Sequence, residues 1–439
     1  MFKYFPHTPE DIKVMLDKIG VNKIEDLFYQ IKPNLVVKDI NIPSSLSELE
    51  LRKEFKKLAN NNKNYVSFVG AGSYDTINFS VINAITSRQE FLTSYTPYQP
   101  EISQGTLQYI FEYQSMICEL TGMDATNASM YDGPTATAEA MFMAVSQTKK
   151  NKVLISKTMN PNIINVVKTY AKFREIEIIE IEEKDYVTDF NDFKNKLSED
   201  VGTVILAQPN FYGIIENYQK FDEVIKENNL IFIMNSDPST LSVLKSPREW
   251  GADIACGEAQ SLGIPLYFGG PYLGYLATTN KLLRKLPGRI CGMTNDVDGK
   301  RGFVLTLQAR EQHIRREKAN SNICSNQSLM ALHATIYMSL LGKTGLKEVA
   351  RRAYNNSHYL EEELLKTKYF SKVNNEPFFK EFVLKFNGDL KKFEKYMLEN
   401  GIMPGLIIKD NFLLTCATEA RTKDEIDQYV RLVGEYHVR

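Results

Sequence analysis

Between Lys152 and Cys256 the sequence alternates short apolar runs with amphipathic segments of helical period, and this constrains the fold more than any other feature. Strands are expected at 152–156, 175–181, 201–207, 230–234 and 252–256, with helices at 161–172, 190–197 and 220–228 between them. Strands joined by crossover helices pair in parallel and are covered on both faces. The expected fold class is therefore α/β, a mainly parallel sheet with helices on both sides. In such sheets the ligand crevice lies beyond the carboxyl ends of the strands. The stretches 208–213, 235–238 and 258–270 all fall at that edge.

The flanking sequence has a different character. Thr8-Pro9-Glu10-Asp11 is a helix start, with a threonine cap, a proline in the first turn and acids beside it. A second helix is expected from about Ser44 over Leu46, Leu49 and Phe55. These first residues are too few for a core of their own and read as a helical arm over 1–62. Beyond Thr344 a charged helix (346–366) precedes strand, helix, strand, helix at 381–386, 390–399, 411–416 and 423–433. The expected organisation is an arm, a large α/β domain over 63–325 and a small α+β domain over 326–439.

The charge balance argues against bulk attraction to nucleic acid or anionic membrane: 53 Lys and Arg stand against 54 Asp and Glu, a net charge of −1. No apolar run approaches the ~18 residues of a membrane span, and the acid-bearing N-terminus does not read as a leader. Five scattered cysteines without paired spacing and five histidines without ligand spacing point to a reduced, metal-free cytoplasmic chain.

Several stretches carry candidate chemistry. At 94–105 two prolines, Tyr95, Tyr98 and Gln99 make a rigid extended segment, either a plain surface connection or a wall against a ligand. The short Gly70-Ala71-Gly72 run reads as a turn. Gly133, Pro134, Thr135 and Ala136 open a helix whose N-terminus is either a capped end or an anion cradle. Asn235 and Asp237 compete for the place at the end of one strand. Residues 308–318 read as a basic helix, either a salt-bridged exposed face or a surface for an acidic partner or a phosphate. Asn320, Ser321 and Asn322 are expected to cap a long helix from Ile323.

The run from Asp253 to Pro271 resembles the strand and loop that carry the Schiff-base lysine in pyridoxal-phosphate (PLP) enzymes of the aspartate-aminotransferase type, the type I fold. Here Gln260 occupies that position, and no lysine lies between Lys245 and Lys281. Taken together, the segments 95–108, 128–133, 258–265, 269–274 and 310–318 resemble the glycine decarboxylase P-protein. The likeness is to its N-terminal half, which many prokaryotes make as a separate alpha chain. The resemblance implies that glycine dehydrogenase (aminomethyl-transferring) activity needs a second, lysine-bearing beta subunit. The pair would form an α2β2 heterotetramer with PLP on the beta chain, decarboxylate glycine and load the lipoyl arm of H-protein. It further implies no catalytic residue in this chain, because a glutamine amide cannot form an imine. Tyr95, Tyr98, Gln99, Asn320, Ser321 and Asn322 would reach the partner's site, and Gly133, Thr135 and Ala136 would be a vestigial phosphate cradle. Two other readings are a subunit that only docks the lipoyl carrier and a self-sufficient PLP enzyme with a displaced lysine.

Overall fold

The computed structural model describes residues 4, 6–37, 40–319 and 321–436, and the chain divides into two compact units, 1–63 and 64–439. In the first unit, α1 (Pro9–Ile19) and α2 (Glu48–Ala59) each begin with a reciprocal capping box, Thr8 with Asp11 and Ser47 with Glu50. The second helix starts a few residues later than the sequence suggests because Ser47, rather than Ser44, supplies the cap. Neither helix has a buried residue, and Val14, Ile19, Leu49, Phe55 and Leu58 are all exposed.

The second unit is built on a seven-stranded sheet. Its strands, in chain order, are β1 (Ala125–Thr126), β2 (Lys152–Ser156), β3 (Glu177–Ile181), β4 (Val201–Gln208), β5 (Ile231–Ser236), β6 (Ile254–Glu258) and β7 (Gly274–Thr278). The order across the sheet is β1-β7-β6-β5-β4-β2-β3. From β6 to β3 all pairs are parallel, whereas β7 runs antiparallel to both of its neighbours. Its sequence, Gly-Tyr-Leu-Ala-Thr, follows the glycine-rich loop directly and gives little periodicity of its own, so the pattern of the sequence does not announce this antiparallel edge.

Side chains alternate across the pleat and feed two cores. Val204, Leu206, Phe232 and Met234 pack on one face with Tyr113, Ile117, Ala331 and Tyr337. Ile205, Ala207, Ile231 and Ile233 pack on the other with Ala136, Ala140 and Met141. The first face is covered by α3 (Gln104–Thr121) and the start of α5 (Ser328–Leu365). The second is covered by α4 (Gly133–Thr148) and the helix Pro161–Lys172. Ten residues of α4 are buried, which its small Ala- and Met-rich sequence permits.

A four-stranded antiparallel sheet forms at the C-terminal end, with Glu381–Phe386 and Phe412–Cys416 paired at its centre. It builds a third core around Phe386, Phe393, Leu413 and Tyr429. Val66–Ser67 also joins this region, pairing in parallel with Ile402–Met403. Non-helical backbone at Gly342 (φ 56°) divides α5 into two helical stretches, where the sequence also places the break.

Two expectations fail. Residues 308–318 are not one basic helix but three short turns, broken by left-handed backbone at Leu307 and Arg316. The long helix does not start at Ile323 under a cap from 320–322. Asn320 lies outside the described residues, and Ser321 Oγ instead accepts the Ile323 N–H at 3.1 Å in a local turn. Residues 321–327 are irregular because Ser129 Oγ ties down Asn326 Nδ2 (2.8 Å) and the Gln327 N–H (3.1 Å), and α5 begins at Ser328.

Gly213 carries the junction between the two sheets. At φ +83° its loop lies so close to Glu381 that a Cβ would overlap the Glu381 carbonyl. Its own carbonyl accepts the Phe379 N–H at 3.0 Å, and Ile215 N–H donates to Pro377 at 2.8 Å. Gly213→Ala is expected to destabilise by about 2 kcal/mol or more, through backbone strain and overpacking together. Urea unfolding checks this, and an unchanged midpoint would contradict the packing described.

Candidate active-site region

The carboxyl ends of β4, β5 and β6 converge, as the alternation of strands and helices requires, on a recess lined by Tyr74, Pro209, Asn210, Asn235, Asp237, Glu258 and Glu381 among others. Its volume is about 80 Å³, against the roughly 300 Å³ at which small-molecule pockets begin. The space is filled by the protein's own polar groups.

Gln260 is wholly buried. Its Oε1 accepts the Tyr74 N–H at 2.8 Å, and its Nε2 donates to the carbonyls of Tyr74 (2.8 Å) and Ile264 (2.5 Å). The amide thus clamps the 70–76 segment the way a paired strand would, with donor and acceptor both satisfied. A lysine could reproduce neither the acceptor nor the geometry.

Asp237 follows β5 and meets Lys380 at 2.6 Å, both nearly excluded from solvent. Asp237 Oδ1 also accepts from Ser261 Oγ (2.5 Å), Ser239 N (3.0 Å) and Ser239 Oγ (2.9 Å). Burial alone would raise the Asp237 carboxyl, but the Lys380 ammonium and these donors hold it below its usual range. Burial likewise pulls Lys380 down, yet Asp237 keeps it above the usual lysine range, so the pair is charged. Lys380 Nζ lies 3.5 Å above the Tyr74 ring, whose hydroxyl donates to Glu381 Oε2 at 2.7 Å. Asn235, the rival position, turns toward α4 and donates to Thr137 Oγ1 at 2.9 Å.

The start of α4 leaves no donor for a phosphate. Gly133 N–H goes to Glu258 Oε2 (2.9 Å), Pro134 has none, Thr135 N–H goes to Asp132 Oδ1 (2.8 Å), and Ala136 N–H goes to the Asp132 carbonyl (3.0 Å). Glu258 Oε1 accepts two further N–H groups, from Leu273 (2.9 Å) and Gln260 (3.1 Å). Its carboxylate thus stands where an anion would sit at a helix N-terminus. Burial pushes it up to about 8, against the pull of those backbone donors.

The remaining sequence-derived residues that the structure describes fall in two groups. Tyr95 and Gln99 are exposed and Tyr98 is half-exposed, on a loop without regular structure. Ser321 is buried and Asn322 is exposed, and Asn322 borders a cavity of about 560 Å³ with Tyr131, Thr135, Glu139 and Arg174. Burial raises Glu139 to about 7, opposed by a hydrogen bond with Ser321 and the charge of Arg174. Met130 and Tyr131 border the same cavity, beside Ser129, which holds Asn326.

The family model for the glycine cleavage system P-protein matches residues 2–433. The chain belongs to the glycine cleavage system P-protein family. It is 48% identical over 99% of both chains to a Bacillus cytotoxicus protein named probable glycine dehydrogenase (decarboxylating) subunit 1. Its backbone superposes with a TM-score of 0.92 on the crystal structure of a glycine decarboxylase (P-protein) in inhibitor-bound form. That structure is 38% identical, with 99% of this chain and 100% of that one covered. A C-DES structure with glycine covalently linked to its PLP cofactor shares the fold at a TM-score of 0.62. It is 16% identical, covering 87% of this chain and 98% of that one. The fold is thus that of type I PLP enzymes, as the sequence implies.

Within that family fold the recess at the strand ends does not fit PLP. The Gln260 amide is saturated, the Asp237 carboxylate is paired with Lys380, and the N-terminus of α4 is closed by Glu258. Sequence reasoning misses Tyr74, Lys380, Glu381 and Glu258 as a set. The only visible signal is two adjacent charges, Lys380 and Glu381, at the start of the mostly apolar strand Glu381–Phe386.

Lys380→Met leaves Asp237 buried without a counter-ion and is expected to cost about 3–5 kcal/mol, most of which the added change Asp237→Asn restores. An unpaired Asp237 titrates above its unfolded value of about 3.9, so the folded state binds the extra proton. The deficit of Lys380→Met should therefore shrink as pH falls toward 4. Chemical unfolding across pH checks both outcomes, and a deficit independent of pH would contradict them.

Proposed function

We propose that this chain is the alpha subunit of a cytoplasmic glycine decarboxylase, a scaffold that completes its partner's active site and holds no cofactor itself. The lysine-bearing beta subunit carries PLP, the two chains assemble as α2β2, and lipoylated H-protein receives the aminomethyl group. PLP supplies the electron sink for losing carbon dioxide. This chain's part is to position groups at the partner's site and to exclude water.

The observation that carries the proposal is the filled recess. An internal ion pair, an internal carboxylate and a clamped glutamine take the places a cofactor would use, in a chain that keeps the fold intact. That argues against the reading of a self-sufficient enzyme with a displaced lysine, since a new lysine would have little room for PLP beside it. The helical arm is assigned to the subunit interface: two capped helices with apolar side chains exposed along them need a cover.

Tyr95, Tyr98 and Gln99 are proposed to wall the partner's pocket, and Asn320, Ser321 and Asn322 to approach its cofactor phosphate. Gly133, Thr135 and Ala136 remain a closed relic of a cradle. The rival reading, a subunit that only docks the lipoyl carrier, draws on the exposure of Tyr95, 87% of which is open to solvent.

Reconstitution separates the readings. Neither chain alone should exchange glycine carboxyl carbon with bicarbonate, and mixing the two should restore it. Tyr95→Ala with Tyr98→Ala should lower exchange about tenfold or more while assembly survives. Unchanged exchange with intact assembly would favour pure docking, and full activity of the beta chain alone would remove the proposal.

A further inference from the structure

Arg289 is only 7% exposed, yet no carboxylate forms an ion pair with it among the described residues. Its Nη1 donates to Asn326 Oδ1 at 3.2 Å and its Nη2 to the Tyr98 hydroxyl at 3.4 Å, both neutral acceptors at long range. Its Nε is buried with no acceptor. The Tyr98 ring lies 5.5 Å from the guanidinium carbon and packs edge-on against His313 at 5.8 Å. The contrast is Lys380, equally buried but held by Asp237 at 2.6 Å.

A cation taken out of water costs several kcal/mol unless an anion and full hydrogen bonding meet it. Here the fold assembles the cation and omits the anion. Asn326 is itself fixed by Ser129 Oγ, so one edge of the guanidinium is anchored. The other edge meets the half-exposed Tyr98, whose hydroxyl accepts from Nη2 at long range and carries a proton of its own to donate. A fixed planar fork beside a phenolic hydroxyl matches an oxyanion with two or more oxygens.

We propose that Arg289, gated by Tyr98, is an oxyanion receptor that this chain lends to its partner's active site. The inference rests on the reading that the 94–103 loop walls that site. Two groups there have the required chemistry, the carboxylate of the amino-acid substrate and the phosphate of the partner-held cofactor.

The test uses the reconstituted two-subunit complex with Arg289→Gln and Arg289→Lys. Glycine KM and kcat are measured at saturating PLP, PLP Kd by absorbance titration, and assembly by sedimentation. Loss of one charge-assisted pair should cost about tenfold or more. A tenfold rise in glycine KM with PLP Kd unchanged identifies the substrate carboxylate. A tenfold rise in PLP Kd with glycine KM unchanged identifies the phosphate. Arg289→Lys keeps the charge without the fork and should fall between, which decides the matter if Arg289→Gln fails to assemble. Wild-type constants in the assembled variants would overturn the proposal. A wild-type complex without activity would instead overturn the subunit assignment beneath it.

Discussion

The ion pair between Asp237 and Lys380 is the interaction on which the interior of this molecule depends. Asp237 directly follows a central strand of the large sheet, and Lys380 directly precedes a strand of the small one. Their 2.6 Å contact ties the two sheets together, alongside α5, whose buried residues reach both cores. Buried pairs of this kind add little net stability when complete but are costly when one partner is removed. The pair therefore fixes the arrangement of the sheets more than it strengthens it. Around it, Tyr74 stacks under the ammonium, Gln260 clamps the Tyr74 backbone, and Glu381 takes the Tyr74 hydroxyl. The charges and amides of the recess are met by other parts of the same chain.

That self-satisfaction gives a physical meaning to the missing lysine. A cofactor site needs unsatisfied groups held ready: an amine, a carboxylate facing a ring nitrogen, amides for a phosphate. This chain retains the strand ends and the helix start that would present them, and it has used each one internally. Unmet needs remain elsewhere, at the Arg289 Nε beneath Tyr98 and along the exposed apolar faces of the arm helices. Interior closure and an exterior with unmet needs are what a subunit requires if its contribution is made to a neighbour.

The parallel sheet, its crevice edge and most helix bounds are legible in the sequence because they follow from local period and capping. The helix Pro161–Lys172 and the strand Glu381–Phe386 fall where the pattern puts them. Strand β7 is not legible, since one of its partners, Ala125–Thr126, is far away in sequence, and the local hairpin of 290–306 carries no strand pattern across its Asp- and Gly-bearing turn. The basic run 308–318 has helical composition, but left-handed backbone at Leu307 and Arg316 breaks it. Gln260 stands out by its position against a family pattern, whereas Lys380 does not. Its partner is 143 residues away, the difference between positions 380 and 237. No local signal marks a lysine as buried.

Whether more than a lysine separates this chain from a cofactor-binding enzyme can be measured directly. Gln260→Lys restores the amine and leaves Asp237, Lys380 and Glu258 in place. The isolated variant is incubated with PLP, dialysed and scanned in the visible. A recess filled by its own ion pair and carboxylate should give no imine band and no retained PLP. One equivalent of PLP retained per chain, with a band fixed by borohydride at position 260, would show that the lysine alone was missing and that the recess is not closed.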